Sequence, residues 1–429
     1  MKYQAVRGRL LHFIAQDKPE YFNDGLLVTD ADSGTVVACG EAAALLDQYP
    51  DISVTQYDNA LIMPGLIDTH IHYPQVDVIA SYGEQLLDWL NNYTFPTEVN
   101  FADPAVATDA AEFFLNELLK NGTTTALVFG TVHKGSVDAF FNVSEKLNTR
   151  MICGKVMMNR HAPEALCDSV ESSVADTQEL IDRWHGNGRQ LYAITPRFAI
   201  TSTEEQLAAA GQLLADNPDV YMQTHLAENL DEIAFVRELF PQRKSYLDVY
   251  DHYGLLGERS VFAHCVHLDD EDYQRMNETG SKISFCPTSN LFLGSGLFKL
   301  DNQPYPVEVS VATDVGGGTS FSMLQTMNEA YKICQLQGSK LSPLRAFYMM
   351  TLGNAKALSL DDKIGNFEAG KEADFVVFDL AGTDLMARRQ SICKSLDETL
   401  FSLMILGDDR AVAETWVAAN KVWSKEESH

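Results

Sequence analysis

The chain has 429 residues, of which 45% are hydrophobic, and its 32 basic and 60 acidic side chains give a formal charge of −28. That length and apolar share fit one large core, or a barrel-sized domain beside a smaller one, and exclude a disordered chain. So acidic a chain repels phosphate, which excludes nucleic acid and anionic membranes as expected partners.

No apolar run reaches the ~18 residues of a membrane span, and the opening "MKYQAVRGRLLHFIAQDKPE" holds no signal-peptide core, so a cytoplasmic protein is expected. The seven cysteines are scattered without a CxxC pair and read as reduced thiols filling the core.

Residues 1–63 contain short β-like pieces with turn signals, "NDGLLVTD" and "DSGTVVACG", which predict the first part of a small β domain. From 64 to 360 the pattern changes to short apolar runs alternating with longer amphipathic stretches, as when parallel strands are joined by helices. The runs are "GLIDTHIH", "TTTALVFG", "MICGKVMMN", "LYAITPRF", "VYMQTHLAE", "SVFAHCV", "KISFCPTSN" and "VEVSVATD". With stretches such as "ATDAAEFFLNELLKNG" between them, eight strands predict an α/β fold of the (β/α)8 TIM barrel type. In 361–429, "ADFVVFDL" and "ETWVAANKVW" return to the β pattern, so both chain ends are expected to build one small β-sandwich domain.

The first barrel strand carries His70 and His72, which alternation turns to one face at the barrel mouth, where the two can share a metal ion. A pair of hydrogen-bonded core histidines is the plainer alternative. His225, His264 and Asp314 fall at the ends of three other strands, so five ligand-type groups converge where a barrel keeps its catalytic residues. Glu228, three residues past His225, is placed to reach a bound water or a substrate nitrogen as a proton shuttle, or else to be a solvated acid before the next helix. The run Gly316–Gly318 lacks the Lys-Ser/Thr of a phosphate loop and is read as letting backbone approach a ligand.

"PGLIDTHIH", the histidines after strands five and six, Asp314 in "ATD" and the closing "IGNFEAGKEADFVVFD" together resemble the amidohydrolase superfamily over the whole chain. "HIHYPQ", "TPRF", "THLAEN", "FAHCVHL", "CPTSNL" and "ATDVGGGTSFSML" resemble, more narrowly, its guanine-deaminating branch, with Ala312 where that branch commonly has glycine. The resemblance implies one zinc ion per chain held by His70, His72, His225 and Asp314, with His264 hydrogen-bonding the hydrolytic water; iron would accept the same donors. Superfamily sites with two metals commonly use a carboxylated lysine on strand four, and "LYAITPRF" has none; Lys155, on strand three, is read as structural or rim-facing.

The implied reaction is hydrolytic deamination of guanine to xanthine and ammonia, with Glu228, His264 and Asp314 as catalytic groups. Gln75, Arg197 and Phe198 are the implied purine contacts, alongside His225 and Glu228. By residue type alone, Arg197 is also open to a plain ion pair with a rim carboxylate, and Gln75 to an ordinary turn. The same chemistry on an oxidised purine, a pterin or a triazine is the nearest alternative, and a non-catalytic interaction protein of this fold a more distant one. The family also implies a homodimer. His133, His161 and His267 follow strands and are read as ordinary surface or core-edge residues.

Overall fold

The computed structural model describes residues 3–83 and 85–426. The chain begins with four strands, β1 (Tyr3–Ala15), β2 (Lys18–Asp30), β3 (Thr35–Glu41) and β4 (Ser53–Pro64). Nine further strands follow: β5 (Leu66–His72), β6 (Thr123–Phe129), β7 (Arg150–Gly154), β8 (Val156–Met157), β9 (Leu191–Pro196), β10 (Tyr221–Leu226), β11 (Ser260–His264), β12 (Lys282–Phe285) and β13 (Val309–Val311). The last three are β14 (Phe375–Asp379), β15 (Val412–Val417) and β16 (Asn420–Ser424).

Strands β5 to β13 form the predicted parallel barrel, in the order β13-β12-β11-β10-β9-β7-β6-β5, with the short β8 paired to β9. The third run of the sequence is therefore two pieces, broken at Lys155. Every residue of β5 and β6 is buried, because one face fills the barrel and the other meets the helical layer. Helices start where the sequence supplies a cap. Asp103 accepts the Ala105 N–H at 2.8 Å, and Ser169, Asn229 and Asp269 each form a capping box with the residue three further on.

The barrel seam lies between β5 and β13, and a buried side chain holds it. Asn354 donates to the carbonyls of Ile67 and Val311 at 2.6 and 2.8 Å and accepts the Val311 N–H at 2.9 Å. Thr69 and Ser310 hydroxyls meet across the same seam at 2.9 Å. These side chains do what a ladder would do elsewhere, which leaves the C-terminal ends of the two strands side by side.

The strands from both chain ends are hydrogen-bonded into one seven-stranded sheet, β16-β15-β14-β4-β1-β2-β3, in which β1 and β4 run parallel. It curls over a core of its own, where Val6, Leu10 and Leu27 share contacts with Ile62, Phe375 and Val377. Its β14 end docks under the barrel. Arg150, which opens β7, and Arg189, just before β9, donate to Glu372 at 2.7 and 2.6 Å; Arg189 also pairs with Asp374. Gly122 sits against Val376 at a positive φ of +80, in a gap where a Cβ would come within 2.7 Å. Among the described residues no helix is long and apolar enough to cross a membrane.

Burial would raise the Glu372 carboxyl, but the Arg150 hydrogen bond and the Arg189 and Arg150 charges outweigh it and hold it below its ordinary value. A carboxyl depressed in the folded state contributes stability above its unfolded pKa and loses it as pH falls through the folded value. Glu372→Gln is therefore expected to cost about 3 kcal/mol at neutral pH, since the buried Arg150 guanidinium loses its carboxylate and Arg189 keeps only Asp374. Between neutral pH and the acid side of the carboxylate range it should lose less stability than the wild type. Thermal melts across that range test this, and parallel curves for the two proteins would rule out the coupling.

Candidate active site

His70 and His72 leave β5 on one face, as alternation requires, and their Nε2 atoms approach to 3.3 Å. His72 Nε2 lies 3.2 Å from His225 Nε2, while Asp314 Oδ1 stands 3.1 Å from His70 and 3.4 Å from His72. Four ligands at the ~2.0–2.1 Å of a zinc–nitrogen bond, set tetrahedrally, would have edges of ~3.3 Å. These four separations match edges of such a shell, and the ligand atoms of His70, His72 and His225 lie within 4.8 Å of one another, so these residues fit a small metal ion.

Burial pushes His72 down to about 3, and burial, with the repulsion a proton on His225 would meet from the neighbouring histidines, pushes His225 well below its ordinary value. Both rings are thus neutral with a lone pair to give. His225 Nδ1 lies 2.7 Å from the Arg197 carbonyl, which can only accept, so the proton sits on Nδ1 and Nε2 faces the centre.

Asp314 lies three residues beyond the end of β13 rather than on the strand, in a left-handed conformation at φ 53. Its N–H donates to the His70 carbonyl at 3.0 Å, and the His72 N–H donates to the Val315 carbonyl at 2.8 Å. Behind it, buried Asp68 accepts the Thr313 N–H at 3.1 Å and the Thr313 hydroxyl. Ala227, His264 and Cys265 also hold positive φ angles, of 48, 72 and 53, so strained non-glycine backbone is present at this site.

His264 ends β11, with Nδ1 held 2.9 Å from the Asn290 amide oxygen. Its Nε2 faces the Glu228 carboxyl at 3.3 Å and Asp314 Oδ2 at 3.7 Å and has no hydrogen-bond partner. Glu228 takes the Ser295 hydroxyl at 2.8 Å, and its carboxyl is pushed up to about 8 by burial and by the Asp314 charge. It can hold or release a proton near neutrality, as a shuttle must. Glu232 receives the N–H groups of Glu228 and Asn229 at 2.9 and 3.1 Å and the Tyr246 hydroxyl at 2.8 Å, which fixes the backbone that carries Glu228.

A pocket opens over this centre. His72, His225, Glu228, His264 and Asp314 line one end, and Gln75, Arg197 and Phe198 line it with them. Gln75 accepts the Gly316 N–H at 3.0 Å and turns its amide N–H group to Glu98 at 3.4 Å, so it is a buried bridge rather than a turn residue. Arg197 is buried and pairs with Glu98, donating from Nη1 at 2.8 and 2.9 Å. The ion pair is with a carboxylate inside the pocket wall, and no other Arg197 side-chain nitrogen has a hydrogen-bond partner among the described residues. The glycine run packs against Gln75 and Thr313: a Cβ on Gly316 would sit 2.7 Å from the Gln75 carbonyl oxygen.

Sequence reasoning did not single out Glu98, Trp89, Leu86 and Leu90, which the segment 86–98 brings over the pocket, nor Ser295, Asn290 and Glu232. Only Glu98 had a signal to follow, since a buried arginine requires a counter-charge. Cys286 was read as a core thiol, yet its Sγ falls within 4.8 Å of ligand atoms of His70, His264 and Asp314. Burial raises it well above its ordinary value, so it stays a neutral thiol, directed at the Ser284 carbonyl.

Lys155 does not face the rim. It is wholly buried against Asp168 and the Val156 carbonyl, the latter at 3.2 Å, and is structural. His133 and His161 do not line the pocket, and His161 packs on Phe235. His267 is half-buried at the core edge, with Nε2 bonded at 2.8 Å to the carbonyl of Ser295, the residue that holds Glu228.

A barrel with a histidine and aspartate centre at its C-terminal mouth defines a class, and residues 61–422 match the model of the amidohydrolase family. The chain belongs to that family. It is 52% identical to the guanine deaminase of Escherichia coli strain K12 over 98% of both chains. The solved structure of E. coli guanine deaminase superposes with a TM-score of 0.96, covering 98% of this chain and 100% of that one. Guanine deaminase from C. acetobutylicum, solved with guanine bound in its active site, is 30% identical with a TM-score of 0.87, covering 98% of this chain and 100% of that one.

Asp314→Ala removes one corner of the candidate ligand shell and leaves the imidazoles of His70, His72 and His225 facing one another without it. Bound metal is expected to fall by at least about tenfold, as read by elemental analysis after dialysis. Unchanged metal content would exclude Asp314 as a ligand.

Proposed function

We propose that this protein hydrolyses guanine to xanthine and ammonia at the centre formed by His70, His72, His225 and Asp314. One observation carries the reading: the metal-type centre, a buried carboxyl able to hold a proton and the Arg197–Gln75 wall share one pocket, in a chain 52% identical to a guanine deaminase. Zinc is the proposed ion, one per chain, since three imidazole nitrogens and a carboxylate oxygen are its usual donors; when bound, it supplies Lewis-acid activation of water.

The chain's own residues do the rest. Arg197 donates to the C6 oxygen of guanine through N–H groups that Glu98 does not use. Phe198, nearly buried, packs on the flat ring. Glu228 accepts a proton from the attacking water and delivers it to the ring nitrogen beside C2, so that no free ring anion builds up. Asp314 and His264 orient that water and pass its second proton to the amino group, which leaves as ammonia when the C2–N bond breaks. Water and guanine are thus consumed one for one, leaving a carbonyl at C2. The homodimer implied by the family resemblance and the cytoplasmic state expected from the sequence go with this reading, and light scattering checks the dimer.

Glu228→Gln preserves shape and removes the proton carrier, so turnover of guanine should fall by roughly 10²-fold or more with metal content unchanged. Near-normal turnover would exclude Glu228 as the shuttle.

Adenine presents an amino group where Arg197 requires an acceptor, and its efficiency should be lower than that of guanine by about 10⁴-fold. Ammonia release from guanine, adenine, a pterin and an aminotriazine decides the substrate. Comparable efficiency on any of the last three would overturn the assignment.

A further inference from the structure

Arg197 is the one permanent cation among the described residues lining the pocket. It does not enter as a free charge. Nη1 gives hydrogen bonds of 2.8 and 2.9 Å to both oxygens of Glu98, and the guanidinium carbon lies 5.3 Å from the centre of the Phe95 ring. Glu98 is itself fully buried and also takes the Gln75 amide at 3.4 Å. Cation and carboxylate thus reach the ligand as a neutral pair, and the remaining acids facing the cavity, Glu228, Glu232 and Asp314, add no positive charge.

We propose that Glu98 determines specificity by charge: it neutralises Arg197, so that the guanidinium hydrogen-bonds a neutral oxo-purine but offers no net attraction to an anionic one. The inference rests on the deaminase reading above. Its consequence falls on the product, because the second carbonyl of xanthine acidifies a ring N–H that guanine holds firmly. Once ionised, xanthine finds no counter-charge at the Arg197 end of the pocket. Without the Glu98 carboxylate the buried Arg197 cation would stand uncompensated, and an anionic ligand would become its counter-ion. Glu98 acts through Arg197 and is a positioning residue rather than a catalytic one.

The test is competitive inhibition of guanine turnover by xanthine and by hypoxanthine, on the acid and alkaline sides of the ionisation of xanthine. Hypoxanthine presents the same C6 oxo edge and stays largely neutral over that interval. Hypoxanthine reports changes that affect both ligands alike, and comparing the ratio between the wild type and Glu98→Gln removes the effect on the xanthine anion of His72, His225, His264, Glu228, Glu232 and Asp314, which face the cavity in both proteins.

In the wild type the xanthine-to-hypoxanthine ratio should rise as xanthine ionises. In Glu98→Gln it should fall instead, with xanthine gaining at least about tenfold over hypoxanthine at the alkaline end. A merely structural role for Glu98 would weaken both ligands together and leave the direction of the trend unchanged, which would overturn the proposal. Should Glu98→Gln fail to fold, the wild type alone decides, since a ratio that stays constant through the ionisation of xanthine means the anion is not rejected. If guanine is not turned over and neither purine binds, the deaminase reading falls and takes this inference with it.

Discussion

The site depends on the closure of the barrel between its first and last strands. His70 and His72 end β5, and Asp314 follows β13, so nothing in local structure relates them. They meet because Asn354 fills the hydrogen-bonding needs of Ile67 and Val311 at the seam. The chain then crosses over, with the Asp314 N–H on the His70 carbonyl and the His72 N–H on the Val315 carbonyl. Strained backbone at Asp314 is held in place by Asp68 and Thr313 from behind. The catalytic mouth of the fold is thereby built from rigid strand ends, whose positions the rest of the barrel over-determines.

Burial then sets the chemistry of each group. Away from water, His72 and His225 lose their protons and are left with a lone pair able to hold a metal, while Glu228 keeps its proton to a pH at which an exposed carboxyl would have lost it. The same low dielectric makes an isolated guanidinium costly, and the pocket answers Arg197 with Glu98. Desolvation thus yields neutral donors at one end and a neutralised hydrogen-bonding fork at the other.

Stability is concentrated at the opposite end. The curled sheet reaches the barrel through Glu372 and Asp374, which meet Arg150 and Arg189 where strands β7 and β9 begin, with the Thr415 hydroxyl on the Leu119 carbonyl at 2.6 Å beside them. Placing the buried ion network at the strand N-termini leaves the C-terminal mouth free for chemistry. It also explains why the two chain ends pair: β4 leads directly into β5 through Gly65, whose N–H is bound to the Asp374 carbonyl at 2.9 Å.

By itself, the sequence determined the barrel and the convergence of its strand-end groups. A period of two fixes which face His70 and His72 share, and the alternation of apolar runs with amphipathic stretches fixes the parallel order of strands. Strand ends were less legible. Asp314 lies past its strand and the third run breaks at Lys155, because hydrogen-bond pairing, rather than composition, terminates a strand. Only the tertiary structure decided who stands behind each group: Glu98 for Arg197, Ser295 and Glu232 for Glu228, Asn290 for His264. Glu98 ends the short helix Phe95–Glu98, Glu232 lies in the helix Leu230–Leu239, Asn290 in the short helix Pro287–Phe292 and Ser295 in the loop after it, and a carboxylate or hydroxyl at such a place reads in the sequence like any exposed polar group until burial makes it count.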